Sequence, residues 1–255
     1  LSSSSAASDV YKRQVNAFME HMNGLNELRR EKLINKCKFG KNTKLKNAYF
    51  PHLIHNEPVK NDIDLSKNIA ITGPNASGKT TTLKATLFNL IFSQSFGYGF
   101  YSGATISPYN RIHCYLNIPD TSGRDSLFQA EARRCKEIIE SLEDEKRHFC
   151  IFDELFSGTN PNEACASSYG FIKFLIKQKN IDFILTTHLM DLCKKIDPMM
   201  RNNHMYVERL DDYNFNYTFK MISGISNVKG GLKVLSDLRY PEYILDEANE
   251  ALKNI

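Results

Sequence analysis

The chain alternates between short unbroken apolar runs and longer segments whose apolar positions recur every three or four residues. Four runs stand out, near residues 69–72, 112–116, 148–153 and 181–186. Runs of this length with little polar interruption are what strands buried on both faces look like. Between them lie helical patterns near residues 79–94, 126–146, 162–178 and 189–195. Strands and helices in alternation predict an α/β fold, a mainly parallel sheet flanked by helices. Residues 204–222 alternate as a hairpin would, with Asp211-Asp212-Tyr213-Asn214 as its turn. Residues 231–255 read as a small helical appendage, with Ile244, Leu245, Ala248, Ala251, Leu252 and Ile255 on one stripe.

The N-terminal part is different. Val15, Phe18, Met22, Leu25 and Leu28 stand at helical spacing, after which the chain to residue 45 is basic and reads as irregular. Arg29, Arg30, Lys32, Lys36, Lys38, Lys41, Lys44 and Lys46 are read there as a solvated charged helix and linker. Leu1 to Gln14 is Ser/Ala-rich and resembles translated sequencing-adapter sequence, so it is set aside as a non-native segment. On that reading residues 15–45 are the end of a helical lever or linker and the chain is the C-terminal part of a longer protein. Residues 46–222 are then the α/β domain and 223–255 the C-terminal helical element.

Chemistry enters at Gly73-Pro74-Asn75-Ala76-Ser77-Gly78-Lys79-Thr80, a G-x-x-x-x-G-K-T phosphate-binding loop between an apolar strand and a helix. Its glycines let backbone N–H groups close around phosphates, Lys79 reaches the β- and γ-phosphates, and the Thr80 hydroxyl sits on Mg²⁺. Thr81 continues the loop into the helix, whose N-terminus favours anions. This predicts a P-loop NTPase that takes a nucleoside triphosphate as substrate. The strand at 148–153 ends in Asp153-Glu154. Asp153 is expected to help hold Mg²⁺, and Glu154 to act as general base for the attacking water. The strand at 181–186 runs into Thr187-His188, where a histidine either contacts a γ-phosphate or water or is simply satisfied at a strand end. Ser126 and Gln129 have capping-box spacing. Ser126 is thus an ordinary helix cap or an anion-facing hydroxyl.

The order of strand, loop, cap-bearing helix, Asp-Glu strand and His strand is that of ABC-type ATPases. Ile71-Thr72-Gly73-Pro74-Asn75 with Ser77-Gly78-Lys79-Thr80 resembles the ATPase domain of the MutS mismatch-repair family more closely. So do Ser126-Leu127-Phe128 with Glu131, Asp153-Glu154 with Gly158-Thr159, and Thr187-His188. Asn61-Asp62 upstream, and Gly224-Ile225-Ser226, Gly231-Leu232 and Pro241 downstream, extend the similarity over roughly residues 46–255. The resemblance implies a site made by two subunits, a homodimer or a heterodimer with another MutS-like chain. Ser126 of one subunit would approach a γ-phosphate bound by Gly78 and Lys79 of the other. Asn75 and His188 would contact the phosphate in cis, and Gln94 would couple Mg²⁺ or water to the neighbouring subdomain. It also implies ATP as substrate, Mg²⁺ as cofactor, DNA bound mainly through upstream domains, and an intracellular, soluble protein of nucleus or cytoplasm.

Two departures from the family pattern stand out. Gly158-Thr159-Asn160-Pro161 replaces the usual Gly-Thr-Ser-Thr and is closer to divergent MutS-related proteins. The aromatic expected to stack on adenine, shortly before Asn61, is replaced by Pro58 or Val59. Two alternatives stay open: an ABC-type ATPase of another machine, against which the absent Leu-Ser-Gly-Gly-Gln counts, and a nucleotide-gated dimerisation module with little turnover.

Composition adds limits rather than direction. A chain of 255 residues with 42% apolar content can bury one substantial core and a small appendage. A formal charge of +4 permits nucleic-acid contact without arguing for it. Six widely spaced cysteines with no Cys-x-x-Cys pair point to a reducing compartment and no structural zinc. No apolar run reaches the roughly 18 residues of a membrane span.

Overall fold

The computed structural model describes residues 2–116, 126–211, 214–228 and 230–253. Its centre is a six-stranded sheet. Numbered in chain order, the strands from edge to edge are β11 (Phe215–Ser223), β10 (Arg201–Arg209), β4 (Ile69–Thr72), β9 (Ile181–Thr186), β8 (His148–Asp153) and β7 (Arg111–Tyr115). The β10–β11 hairpin is antiparallel and the other four pairings are parallel.

Alternation along these strands sorts their side chains into two cores, because successive residues point to opposite faces. Ala70, Cys150, Phe152, Phe183 and Leu185 face one way, against Cys135 and Ile138 of α3 (Leu127–Glu140), Phe171, Ile172 and Leu175 of α4 (Pro161–Lys177), and Leu192 and Ile196 of α5 (Met190–Ile196). Ile69, Ile71, Phe149, Ile151 and Ile184 face the other way, against Leu83 and Leu90 of α2 (Lys79–Phe96). Each of the Leu, Ile and Phe side chains among them contributes about 1.5–3 kcal/mol by leaving water. Two-sided burial is why these runs lack polar interruptions.

The second core has a further lid that the apolar pattern does not announce. A five-stranded sheet, in the order β3 (Asn61–Asp64), β2 (Lys44–Ala48), β6 (Gly103–Ile106), β1 (Asn35–Phe39) and β5 (Tyr98–Gly99), covers it. Cys37, Leu45 and Ile63 point inward to the core. Lys36, Lys38, Lys44 and Lys46 alternate with them and are exposed. The basic stretch expected to be an irregular linker is therefore the outer face of two strands. Before it, α1 (Ser2–Arg30) is helical throughout, but only Leu25 and Leu28 pack on Ile34, Tyr49 and Phe100. Val15, Phe18 and Met22 of the expected stripe are exposed.

Two other boundaries differ from expectation. The helix predicted to reach residue 146 stops at Glu140. There the Ser141 hydroxyl donates to Ile138 O at 2.7 Å, and Asn180 Nδ2 donates to the carbonyls of Glu143 and Lys146 at 2.9 and 2.6 Å. The C-terminal helix is two, α6 (Gly231–Asp237) and α7 (Glu242–Lys253), separated at Pro241, whose ring disfavours helix at the residue before it. On α7 only Leu245 of the expected stripe is buried, and Ile255 lies outside the described residues. The β10–β11 hairpin is present as expected; of its turn, Asp212 and Tyr213 lie outside the described residues. Among the described residues no helix is long and apolar enough to cross a membrane.

Candidate nucleotide-binding site

Parallel strands with tips in one row make the site. Ile71 pairs with Thr186 and Thr186 with Asp153, so β4, β9 and β8 end together at the carboxyl edge of the sheet. That edge is where ligands of open α/β sheets bind. The loop leaving β4 turns through Ala76 at φ 61° and Gly78 at φ 98° before α2 starts at Lys79. A side chain at Gly78 would be strained by that φ, and its Cβ would stand 3.3 Å from Phe219 Cδ1. No side chain caps α2, which leaves its first-turn N–H groups to an anion. The Ser77 hydroxyl is buried inside the loop without a partner. A buried orphan hydroxyl in a loop of this shape fits a phosphate-binding cradle.

Four polar side chains converge beside the loop. The Thr80 hydroxyl donates to the Asp153 carboxylate, 3.0 Å from Oδ2, and the Thr186 hydroxyl donates to Asp153 Oδ1 at 2.6 Å. Lys79 is only 5% exposed, and its ammonium donates to Gly73 O at 3.0 Å and Pro74 O at 3.2 Å. The third Lys79 proton remains for an anionic oxygen. Burial pushes the Lys79 pKa below its ordinary value, opposed by the nearby Glu154 and Asp153 carboxylates. Glu154 takes the left-handed φ of 55°, and its N–H donates to Thr186 O at 3.2 Å. Its Oε1 lies 2.8 Å from His188 Nε2 and 4.0 Å from Lys79 Nζ. His188 Nε2 is also 3.2 Å from Lys79 Nζ, and one nitrogen cannot both donate and accept along these two directions. The shorter contact to a carboxylate assigns the proton to Nε2, donated to Glu154. That hydrogen bond, then the His188 and Lys79 charges, hold the Glu154 carboxyl below its usual range against the opposite pull of burial.

A cleft of about 610 Å³ runs from this loop towards the small sheet. Asn75, Ala76, Gly78, Lys79, Thr80, Thr81 and Glu154 line it, and so do Tyr49, Phe50, Val59, Ile63 and Phe219. Pro58 and Val59 do line it, where an aromatic was expected, but aromatic surface comes from elsewhere. Pairing skips between Met205↔Met221 and Val207↔Tyr217, so β11 bulges at residues 218–220, and Phe219 sits at φ 55° beside Gly78. Asn61 clamps the bulge: its Nδ2 donates to Phe219 O at 3.0 Å and its Oδ1 accepts from Met221 N at 2.8 Å. Phe219 was missed from sequence; its only signal was aromatics at every second position, Phe215, Tyr217 and Phe219, on a strand with a polar face.

Gln94 and Ser126 do not line this cleft, and for Ser126 the resemblance expects that, since it would serve a partner's site. Both ends of the Gln94 amide bind the backbone of Tyr109, at 3.2 and 2.8 Å. Its position explains this, since 14 residues of helix beyond Thr80 is about 21 Å. Ser126 is an N-cap in a complete capping box, Gln129 N donating to its hydroxyl at 3.3 Å and Ser126 N to Gln129 Oε1 at 2.9 Å. Its helix packs on edge strand β7, three strands from β4. That is about 14 Å across the sheet, and Ser126 does not line the cleft. The segment 117–125 leading to it lies outside the described residues.

A phosphate-binding loop on a mixed α/β scaffold, with carboxylates at the tip of β8 two strands away, defines the class of the molecule. A family model, MutS domain V, matches residues 69–255. The chain belongs to the MutS family, of which it represents the C-terminal ATPase region. It is 28% identical over 213 residues to endonuclease MutS2 of Clostridium novyi (strain NT), covering 81% of this chain and 26% of that protein. It is 26% identical over 189 residues to endonuclease MutS2 of Clostridium botulinum (strain Okra / Type B1), covering 73% of this chain and 24% of that protein. It is 24% identical over 203 residues to the DNA mismatch repair protein MSH3 of Candida glabrata, covering 75% and 20% respectively. The chain thus spans about a quarter of the length of these curated relatives.

Proposed function

We propose that this chain is the ATP-hydrolysing domain of a mismatch-repair-related MutS protein, working as an intracellular dimer that couples nucleotide state to a DNA clamp. The observation that carries the reading is the Thr80–Asp153 contact at 3.0 Å, which joins the loop to the tip of β8. A hydroxyl and one carboxylate, without a third His, Cys, Asp or Glu among the described residues, are a poor cage for a tightly held metal. They suit Mg²⁺, which takes one or two carboxylates and fills its shell with phosphates and water. Bound there by Thr80 and Asp153, Mg²⁺ would neutralise charge on the triphosphate.

The chain's own groups supply the rest. Loop N–H groups and Lys79 hold the β- and γ-phosphates, while Phe219, Tyr49 and Val59 wall the base. Glu154 takes the proton from the attacking water, with His188 fixing its orientation and keeping it ionised. Ser126, remote from its own loop, is suited to a partner's γ-phosphate through its hydroxyl, which accepts from Gln129 N and keeps its own proton to donate. DNA engagement belongs to the longer protein of which the relatives are examples.

Glu154→Gln and Lys79→Ala separate the roles. The first is expected to keep ATP affinity and slow single-turnover hydrolysis about 10²–10⁴-fold, the contribution of a positioned base. The second is expected to weaken binding itself. Near-normal turnover by Glu154→Gln in the presence of Mg²⁺ would falsify the assignment of the base.

A further inference from the structure

Glu131 is a carboxylate buried to 2% exposure in the middle of α3, with no cation within ion-pair distance among the described residues. Burying such a group is costly unless donors surround it. Here they do. Oε1 accepts from Ser157 N at 3.0 Å and from the Ser157 hydroxyl at 2.8 Å, and Oε2 accepts from Gly158 N at 3.1 Å. In the same loop Phe156 N donates to the Tyr115 hydroxyl at 3.3 Å.

What Glu131 grips is the loop that follows Glu154. That loop holds two residues in the left-handed region, Glu154 at φ 55° and Phe156 at φ 56°, a conformation that persists only when neighbours impose it. Its far end, Gly158, touches the first turn of α3 so closely that a Cβ there would lie 2.6 Å from Phe128 N and 2.8 Å from Leu127 Cγ. The rings of Phe128 and Phe156 meet 5.7 Å apart. The start of α3, which carries Ser126, and the loop that carries Glu154 are therefore one packed unit, with Glu131 as its polar fastening.

We infer that Glu131 is a positioning residue that couples Ser126, serving the partner's nucleotide, to Glu154, serving its own. The inference rests on the composite-site reading above. An apolar residue could fill the same space. A carboxylate with three directed donors fixes one orientation of the loop relative to the helix, so a shift of α3 on engaging a partner must move Glu154 with it. Each chain then reports the state of one site to the other through a side chain that touches neither nucleotide.

The test is a double-mutant cycle on hydrolysis by the full chain with MgATP, using Glu131→Gln, Ser126→Ala and both together. Glu131→Gln places an NH₂ among N–H donors. It is expected to lower kcat 10–100-fold while ATP affinity stays within about threefold, and the double variant is expected to be no more than twofold slower than Glu131→Gln alone. Glu131→Asp keeps the charge and is expected to recover at least fivefold of the loss. Multiplicative effects of the two substitutions, an unchanged kcat, or a kcat loss matched by lost ATP affinity and lower Tm would each overturn the coupling. If Glu131→Gln does not fold, the same cycle is run with Glu131→Asp, and multiplicative effects there overturn the coupling equally. A parent chain without Mg-dependent turnover would remove the underlying ATPase reading instead, so the two failures are distinguishable.

Discussion

His188 donates its Nε2 proton to Glu154 Oε1 across 2.8 Å, and this bond is the largest cause of the depressed Glu154 pKa. A carboxyl with a depressed folded pKa stays ionised below the usual range of about 4.3. Its contribution to stability is present above the unfolded value and is lost only as pH falls through the lower folded value. Replacing His188 with Ala removes the main cause, so the Glu154 pKa rises. The acid limb of the kcat profile, measured from roughly pH 4 to 7, is expected to move to higher pH in His188→Ala. An acid limb that stays in place would remove His188 from this role.

Phe219 faces the loop from a bulge and has no part in phosphate chemistry. Phe219→Ala is expected to weaken ATP binding about 5–100-fold, since stacking a base on an aromatic ring is worth ~1–3 kcal/mol. At saturating ATP, kcat should change little. Binding of inorganic triphosphate, which has no base, should not change. Equal losses for ATP and triphosphate would mean that the ring supports the loop rather than the base.

Ser126 does not line its own cleft, so the proposed action in trans is tested by mixing chains. Ser126→Ala and Lys79→Ala proteins are each expected to hydrolyse ATP slowly. Mixed, they should form heterodimers with one site intact and one doubly damaged. Turnover well above the sum of the parents is the expected result. Strictly additive turnover in a mixture shown to contain heterodimers counts against action in trans.

Two glycines give opposite signs. At Gly158 a methyl group meets the backbone of Phe128, so Gly158→Ala is expected to cost ~1–3 kcal/mol. Gly170 lies within α4 with nothing within 4 Å of an added Cβ, and Gly170→Ala should gain about 0.5–1 kcal/mol. Thermal unfolding reads both, at roughly 2–4 °C per kcal/mol for a chain of this size. A Gly158→Ala protein as stable as the parent would show that the loop and α3 are looser than they look.

The parallel sheet was legible because burial on both faces forces unbroken apolar runs, as at Phe149 to Phe152. The loop and Asp153-Glu154 were legible because phosphate chemistry restricts both residue type and spacing. The small sheet was not. Its inward residues, Cys37, Leu45 and Ile63, are single apolar positions between lysines and aspartates, and that pattern equally describes a solvated linker. Phe219 was hidden because a bulge, which no period reveals, decides where it points. The resemblance made Gln94 a link between Mg²⁺ or water and the neighbouring subdomain, whereas helix rise carries it out of the cleft to the backbone of Tyr109. Glu131 looked like one more charge on an amphipathic helix until Ser157 and Gly158 were found folded over it.

Asn61 holds the backbone of Phe219 across 158 residues of chain. The Gly78 end of the cleft leans on the same hairpin, because β4 pairs with β10 and Met205 Cβ stands 3.2 Å from where a Cβ at Gly73 would lie. The cleft is therefore complete only when a hairpin from late in the chain has met strands from early in it, and one amide side chain is the latch between them.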